Sequence, residues 1–238
     1  MSSNRLALAL ALALAMLSGS GARADGEAPA DCAGVTTDRV QARYEGIRDL
    51  EVRFTQRSQS VAFSGLGQEM QARGVAQFAK PGRMRWSYEE PEPSLVVSDG
   101  ETLWIYDPTA KEVQEFPVGE GFLSGTAVQF LLGEGRIRDT YEVKAEGCGE
   151  EAVRLFLYPR EDATYERLEL LVDAERGDVR ATGVIDLFGN RTDVVFDALR
   201  TNLSPDPASF RFQPGPEDRV LRTAPATPSG EAGGSDSQ

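Results

Sequence analysis

Histidine is absent from the 238 residues. Its absence excludes Ser-His-Asp and Cys-His nucleophile activation, His-ligated zinc and imidazole acid–base chemistry together. Basic residues are scarce as well: 25 Lys and Arg stand against 38 Asp and Glu, a formal charge of −13. Binding to a phosphate backbone needs clustered Lys and Arg, so nucleic acid is an unsuitable partner. Only two cysteines occur, and two thiolates without histidine do not complete a tetrahedral metal shell. Long apolar runs are missing after the first 24 residues, so no later stretch is long enough to span a membrane as a helix.

The one apolar run present is Leu6 to Leu17, behind Arg5 and ahead of Ser18-Gly19-Ser20-Gly21-Ala22-Arg23-Ala24. This is the pattern of a secretory signal peptide over residues 1–24, cleaved after Ala24. Twelve residues reach roughly 18 Å as a helix, short of a hydrocarbon core about 30 Å thick. The expected location is therefore a bacterial periplasm. Losing Arg5 and Arg23 takes the basic residues from 25 to 23 and the net charge to −15. In an oxidising compartment the pair Cys32 and Cys148 reads as one structural disulfide, with two free thiols as the alternative.

Hydrophobic periodicity then organises the mature chain. Val40, Tyr44 and Ile47 share one face of a helix predicted over 36–50, with Thr36 or Thr37 as its cap. Afterwards the period drops to two, as in Met84, Trp86 and Tyr88 alternating with Arg83, Arg85 and Ser87. About 11 strands are predicted: 51–64, 72–80, 83–89, 94–98, 102–107, 112–117, 140–146, 151–158, 164–173, 179–188 and 191–201. Short connections such as Pro81-Gly82, Asp99-Gly100 and Gly189-Asn190 favour antiparallel neighbours. Gly125 to Leu132 has helical spacing and interrupts the strands. The expected fold is mainly β: one domain over 25–222 built on a large curled antiparallel sheet. Residues 223–238, rich in Ala, Pro, Ser, Gly and Glu, read as a disordered acidic tail.

No catalytic constellation survives inspection. Glu89-Glu90-Pro91-Glu92 reads as a solvated acidic turn, and Gly119-Glu120-Gly121 and Gly133-Glu134-Gly135 lack the context of phosphate loops. Asn190-Arg191-Thr192 and Asn202-Leu203-Ser204 match the glycosylation sequon, a pattern common by chance. No enzyme, cofactor or metal is expected. Alternation places Phe54, Phe78, Met84, Trp86, Leu103 and Leu155 on the inner face of the sheet. They can line a chamber or fill a core, which look alike in a sequence, and Trp104 and Tyr106 compete with Leu103 and Ile105 for the inside.

Lys80-Pro81-Gly82-Arg83-Met84-Arg85-Trp86-Ser87-Tyr88-Glu89-Glu90-Pro91, followed by Leu95-Val96-Val97-Ser98-Asp99-Gly100-Glu101-Thr102-Leu103-Trp104-Ile105-Tyr106-Asp107-Pro108, resembles the outer-membrane lipoprotein carrier protein family, LolA. Val52-Arg53-Phe54-Thr55-Gln56, Gly74-Val75-Ala76-Gln77-Phe78, Phe130-Leu131-Leu132-Gly133 and Phe210-Arg211-Phe212-Gln213-Pro214 extend the resemblance over residues 36–222. It implies an incomplete antiparallel β-barrel with an α-helical lid over an apolar cavity. It also implies a monomeric carrier taking acylated lipoproteins from an inner-membrane ABC transporter (LolCDE-like) to a LolB-like outer-membrane receptor. In that reading Val128, Leu131 and Leu132 belong to the lid, facing the six strand residues. Lys80, Pro81, Gly82, Arg83 and Met84 form the lid latch and transporter-docking turn, Lys80 standing where the family frequently has Arg. A carrier of another lipid or glycolipid, or a lipid-sensing regulatory protein, is the alternative on the same fold.

Overall fold

A computed structural model describes residues 31–62, 69–118 and 135–222. The predicted signal peptide, the 125–132 helix and the acidic tail lie outside these residues.

The chain opens with helix α1 (Cys32–Glu45), whose start differs from the expected one. Asp31 is the cap, its carboxylate accepting the Gly34 N–H at 2.9 Å. Thr37 instead donates its hydroxyl to the Ala33 carbonyl at 2.6 Å, which a threonine can do only from inside a helix. A carboxylate is a strong N-cap, so the helix begins one turn before the threonines. It ends at Gly46, and Ile47, predicted to be helical, is buried in the connection that follows.

Eleven strands follow closely the predicted spans: β1 (Asp49–Gln59), β2 (Glu69–Ala79), β3 (Arg83–Glu90), β4 (Ser94–Ser98), β5 (Thr102–Asp107), β6 (Glu112–Pro117), β7 (Tyr141–Glu146), β8 (Ala152–Pro159), β9 (Tyr165–Asp173), β10 (Val179–Asp186) and β11 (Arg191–Thr201). A single helical turn, α2 (Ile137–Thr140), precedes β7, and a 3-10 turn (Pro207–Phe210) follows β11. A twelfth strand, β12 (Arg219–Arg222), had no signature: four residues, mostly exposed, are too short for a period to register. It pairs in parallel with β6, so the sheet is not wholly antiparallel.

All twelve strands form one sheet in the order β12-β6-β5-β4-β3-β2-β1-β11-β10-β9-β8-β7. Among the described residues the terminal strands β12 and β7 do not pair, so the sheet is open, as an incomplete barrel requires. It is nonetheless curled: α1 packs on β7 and β8, while its Tyr44 also lines a crevice with Leu50, Val52 and Phe78 of β1 and β2. Arg43 fixes the helix to the β9–β10 turn through Asp178 at 2.7 Å, and the Arg39 guanidinium reaches the Ala174 carbonyl nearby.

Cys32 and Cys148 are bonded, their Cα atoms 6.0 Å apart across 116 residues of chain. The bond ties the first residue of α1 to the β7–β8 turn. For a loop this long the chain-entropy argument credits it with about 5 kcal/mol as an upper figure.

Candidate lipid-binding site

Strand register decides which side chains share a face. Phe54 lies opposite Gly74, and Leu50 opposite Phe78. Phe78 in turn meets Met84, and Ala76 meets Trp86. Trp86 meets Val96, Val96 meets Ile105, and Leu103 meets Phe116. On the other side Phe54 meets Phe196. Thr182 meets Leu170, and Leu170 meets Leu155. One apolar inner face therefore runs from β6 to β8.

All six strand residues singled out from the sequence sit on this face. Phe54, Phe78, Met84, Leu103 and Leu155 are buried, and Trp86 is partly buried against the same continuous cluster. Leu103 and Ile105 hold the inside. Trp104 and Tyr106 point to the outer face, where Tyr106 packs on Phe212 with ring centroids 4.8 Å apart. That outer side is closed by the C-terminal segment. Phe210 is fully buried, and Arg85 donates to the Ser209 carbonyl at 3.1 Å.

An aromatic array forms the middle of the inner face. The Phe54 ring lies 4.6 Å from that of Trp86 and 5.2 Å, edge-on, from that of Tyr88; Phe78 meets Trp86 at 5.8 Å. Gly74 makes the cluster possible. A Cβ there would fall 1.9 Å from the Ser87 carbonyl oxygen and 3.1 Å from the Phe54 ring. Towards the far end of β1 the face turns polar. The Tyr88 hydroxyl donates to Gln56 at 3.0 Å, Gln56 to Ser58 at 3.3 Å, and Ser58 meets Thr192 at 3.3 Å.

The half of this face under α1 is tightly filled: the crevice bounded by Tyr44, Val52, Phe78, Phe196 and Leu199 has a volume of only about 10 Å³. Away from α1, Trp86, Tyr88, Val96, Ile105 and Phe116 are only partly covered. Tyr88, Val96 and Phe116 were not among the predicted lining, and Ile105 entered it only as the alternative to Tyr106. Alternation alone named the strands, but which residue of each strand faces Trp86 depends on register. Val128, Leu131 and Leu132 lie outside the described residues.

The Lys80 to Met84 turn is engaged rather than free. The Lys80 ammonium donates to the Tyr44 carbonyl at 2.6 Å and the Glu45 carbonyl at 3.4 Å, capping the C-terminus of α1. Burial lowers its pKa, an effect opposed by the Glu45 carboxylate. Arg83 donates to the Lys80 carbonyl at 2.8 Å and lies 5.7 Å from the Phe210 ring. Met84 is 9% exposed and belongs to the interior, Gly82 is buried, and Lys80 and Arg83 are half-buried, so Pro81 is the one exposed residue of the five. The acidic turn is occupied too, Glu89 and Glu90 pairing with Arg53 and Arg73.

The family of the outer membrane lipoprotein carrier protein LolA matches residues 45–213. The chain belongs to this family. Among LolA relatives, an outer-membrane lipoprotein carrier protein from Alkalilimnicola ehrlichii is 32% identical over 173 residues, 72% of this chain and 76% of the relative. One from Chromobacterium violaceum is 30% identical over 188 residues, 79% and 86% of the two chains. A solved LolA superfamily protein from Nitrosomonas europaea shares 12% identity with a TM-score of 0.44, covering 76% of this chain and 97% of its own. The LolA block that carries the resemblance, Lys80 to Pro108, is the β3–β4–β5 unit with the entry turn, so the matching motif supplies Trp86 and Tyr88 of the aromatic array and the Lys80 contact with α1, while Phe54 and Phe78 come from β1 and β2.

Proposed function

We propose that this LolA-family chain is a periplasmic carrier that accepts acylated lipoproteins from an inner-membrane ABC transporter of the LolCDE type and delivers them to the outer membrane. The supporting observation is family membership across residues 45–213, which includes nearly all of the strands bearing the apolar face. The physical requirement agrees with it. Each buried CH₂ contributes about 0.8 kcal/mol, so multiple acyl chains do not cross water unshielded. The partly covered strip at Trp86, Tyr88, Val96, Ile105 and Phe116 is the surface assigned to those chains, with Val128, Leu131 and Leu132 as the lid. Lys80 acts as the latch. It holds the end of α1 through a single flexible ammonium, where arginine would offer a planar fork. A LolB-like receptor is the assigned acceptor, and the carrier works as a monomer without cofactor or metal.

Purification from the native periplasm followed by mass spectrometry of the co-purifying molecules tests the reading. Triacylated or diacylated lipoproteins are expected. A free glycolipid in their place would replace lipoprotein transport with carriage of another lipid.

A further inference from the structure

The tip of the β10–β11 hairpin is built to display apolar side chains. Leu187 is 65% exposed and Phe188 84%, the highest exposure among the large apolar side chains of the described residues. The backbone beneath them is fully organised. Asp186 accepts the N–H groups of Phe188 at 2.9 Å and Asn190 at 2.8 Å, and its second oxygen takes the Asn190 side-chain amide at 2.7 Å. Those bonds, the Asn190 amide first, hold the Asp186 carboxyl below its usual pKa. Asn190 also accepts the Val61 N–H at 3.0 Å, docking the tip on the end of β1 beside another exposed apolar side chain. The sequon asparagine is thus a structural residue. Leu187, Phe188, Gly189 and Asn190 carry no charge, and the one carboxylate of the turn is folded back into it.

Position adds the second element. Ser58 pairs with Thr192 on one side and Met70, 72% exposed, on the other, so the tip lies where the inner face ends. The Lys80 turn lies at the opposite end of β1, which spans 11 residues or about 35 Å.

We propose that Leu187 and Phe188 seat the carrier on a zwitterionic lipid bilayer during exchange of cargo, a role that rests on the carrier reading above. A bilayer is the fitting occupant on three grounds. Two side chains on a narrow turn fall far short of the roughly 800 Å² per partner that a stable protein interface buries. A shallow apolar insertion gives weak, reversible membrane attachment, which suits a protein that must leave again. The net charge of −15 reckoned for the mature chain is repelled by anionic lipid, leaving a zwitterionic surface.

The test uses the whole mature protein and vesicles of pure phosphatidylcholine. An environment-sensitive fluorophore is attached at Phe188→Cys, the native cysteines being joined to each other. A control label goes at Glu101→Cys, exposed on the β4–β5 turn at the other end of the strands. Vesicles are expected to brighten and blue-shift the label at 188 and leave that at 101 unchanged. In flotation assays the double variant L187S/F188S is expected to lose about tenfold or more of its vesicle partitioning, with an unaltered thermal melt and unaltered binding of a diacylated lipopeptide. Equal partitioning of wild type and variant overturns the proposal. So does a label silent on vesicles, including one that responds only to another protein. Failure of the wild type to bind lipopeptide would instead overturn the carrier reading, whatever the vesicles show.

Discussion

At the scale of single residues, the inner face depends on a few positions with no slack. Gly74 is one, because the β2–β3 backbone approach leaves no space for a methyl group. Gly74→Ala forces either the strand pair or the Phe54 ring to shift. It is expected to cost about 2–3 kcal/mol, seen as a lower denaturant midpoint with an altered near-ultraviolet dichroism from the Phe54–Trp86–Tyr88 array. Asp173 is another. Hydrogen bonds from Arg180, then from the backbone N–H groups of Arg176 and Glu175, hold its carboxyl at about 2, against an ordinary 3.8. A folded-state pKa below the unfolded one stabilises at pH values above the unfolded pKa. That contribution is lost as pH falls from about 4 through about 2. Asp173→Asn is expected to lower the melting temperature at pH 7 and to flatten its decline across that acid window, measured by thermal melts from pH 7 to 2. Glu169, buried on the outer face, is pushed up by burial, but Arg191 and Arg167 outweigh this and keep it ionised.

At the scale of elements, α1 is held at both ends by different chemistry. Its first residue is fixed covalently to the β7–β8 turn, and its last carbonyls are held by the Lys80 ammonium. The disulfide double variant C32S/C148S is expected to be less stable by about 2–5 kcal/mol, read from denaturant unfolding. Alkylation of native periplasmic protein without reductant is expected to add no mass. The non-covalent end is the one able to open. Lys80→Leu is expected to cost about 1 kcal/mol of stability and to change the rate of cargo handover, while Lys80→Arg retains the contact and slows opening. A charge-reversed Lys80 or Arg83 would disturb α1 and the Arg83–Phe210 contact as well, so the proposed docking role of this turn is tested at the exposed Pro81: its substitution is expected to slow release of lipoproteins from inner-membrane vesicles with an unaltered thermal melt.

At the scale of the whole molecule, a single open sheet presents one apolar inner face, while the C-terminal segment covers the outer face at β3 and β5. Photocrosslinkers along β3 are expected to label lipoprotein cargo from Trp86 and Tyr88 and not from Arg85 and Ser87; uniform labelling would contradict a one-faced site. Much of this organisation was legible beforehand. Period-two alternation and turn signals marked eleven strands, because most of them have one face drier than the other, and the Lys80 to Pro108 block pointed to the family. The two cysteines and the oxidising address were enough to suggest their pairing. Other features depended on contacts distant in sequence. Asp31 rather than a threonine starts α1, since capping is decided by which carboxylate reaches a free N–H. The four-residue β12 exists only because β6 offers it an edge. Leu103 and Ile105, and not Trp104 and Tyr106, face inward because pairing with β4 sets the register and the C-terminal Phe210–Phe212 segment covers the other side. Periodicity is a local property that a sequence displays by itself. The choice between two faces, and the contact of Lys80 with the end of α1, are made by partners that only the folded chain brings together.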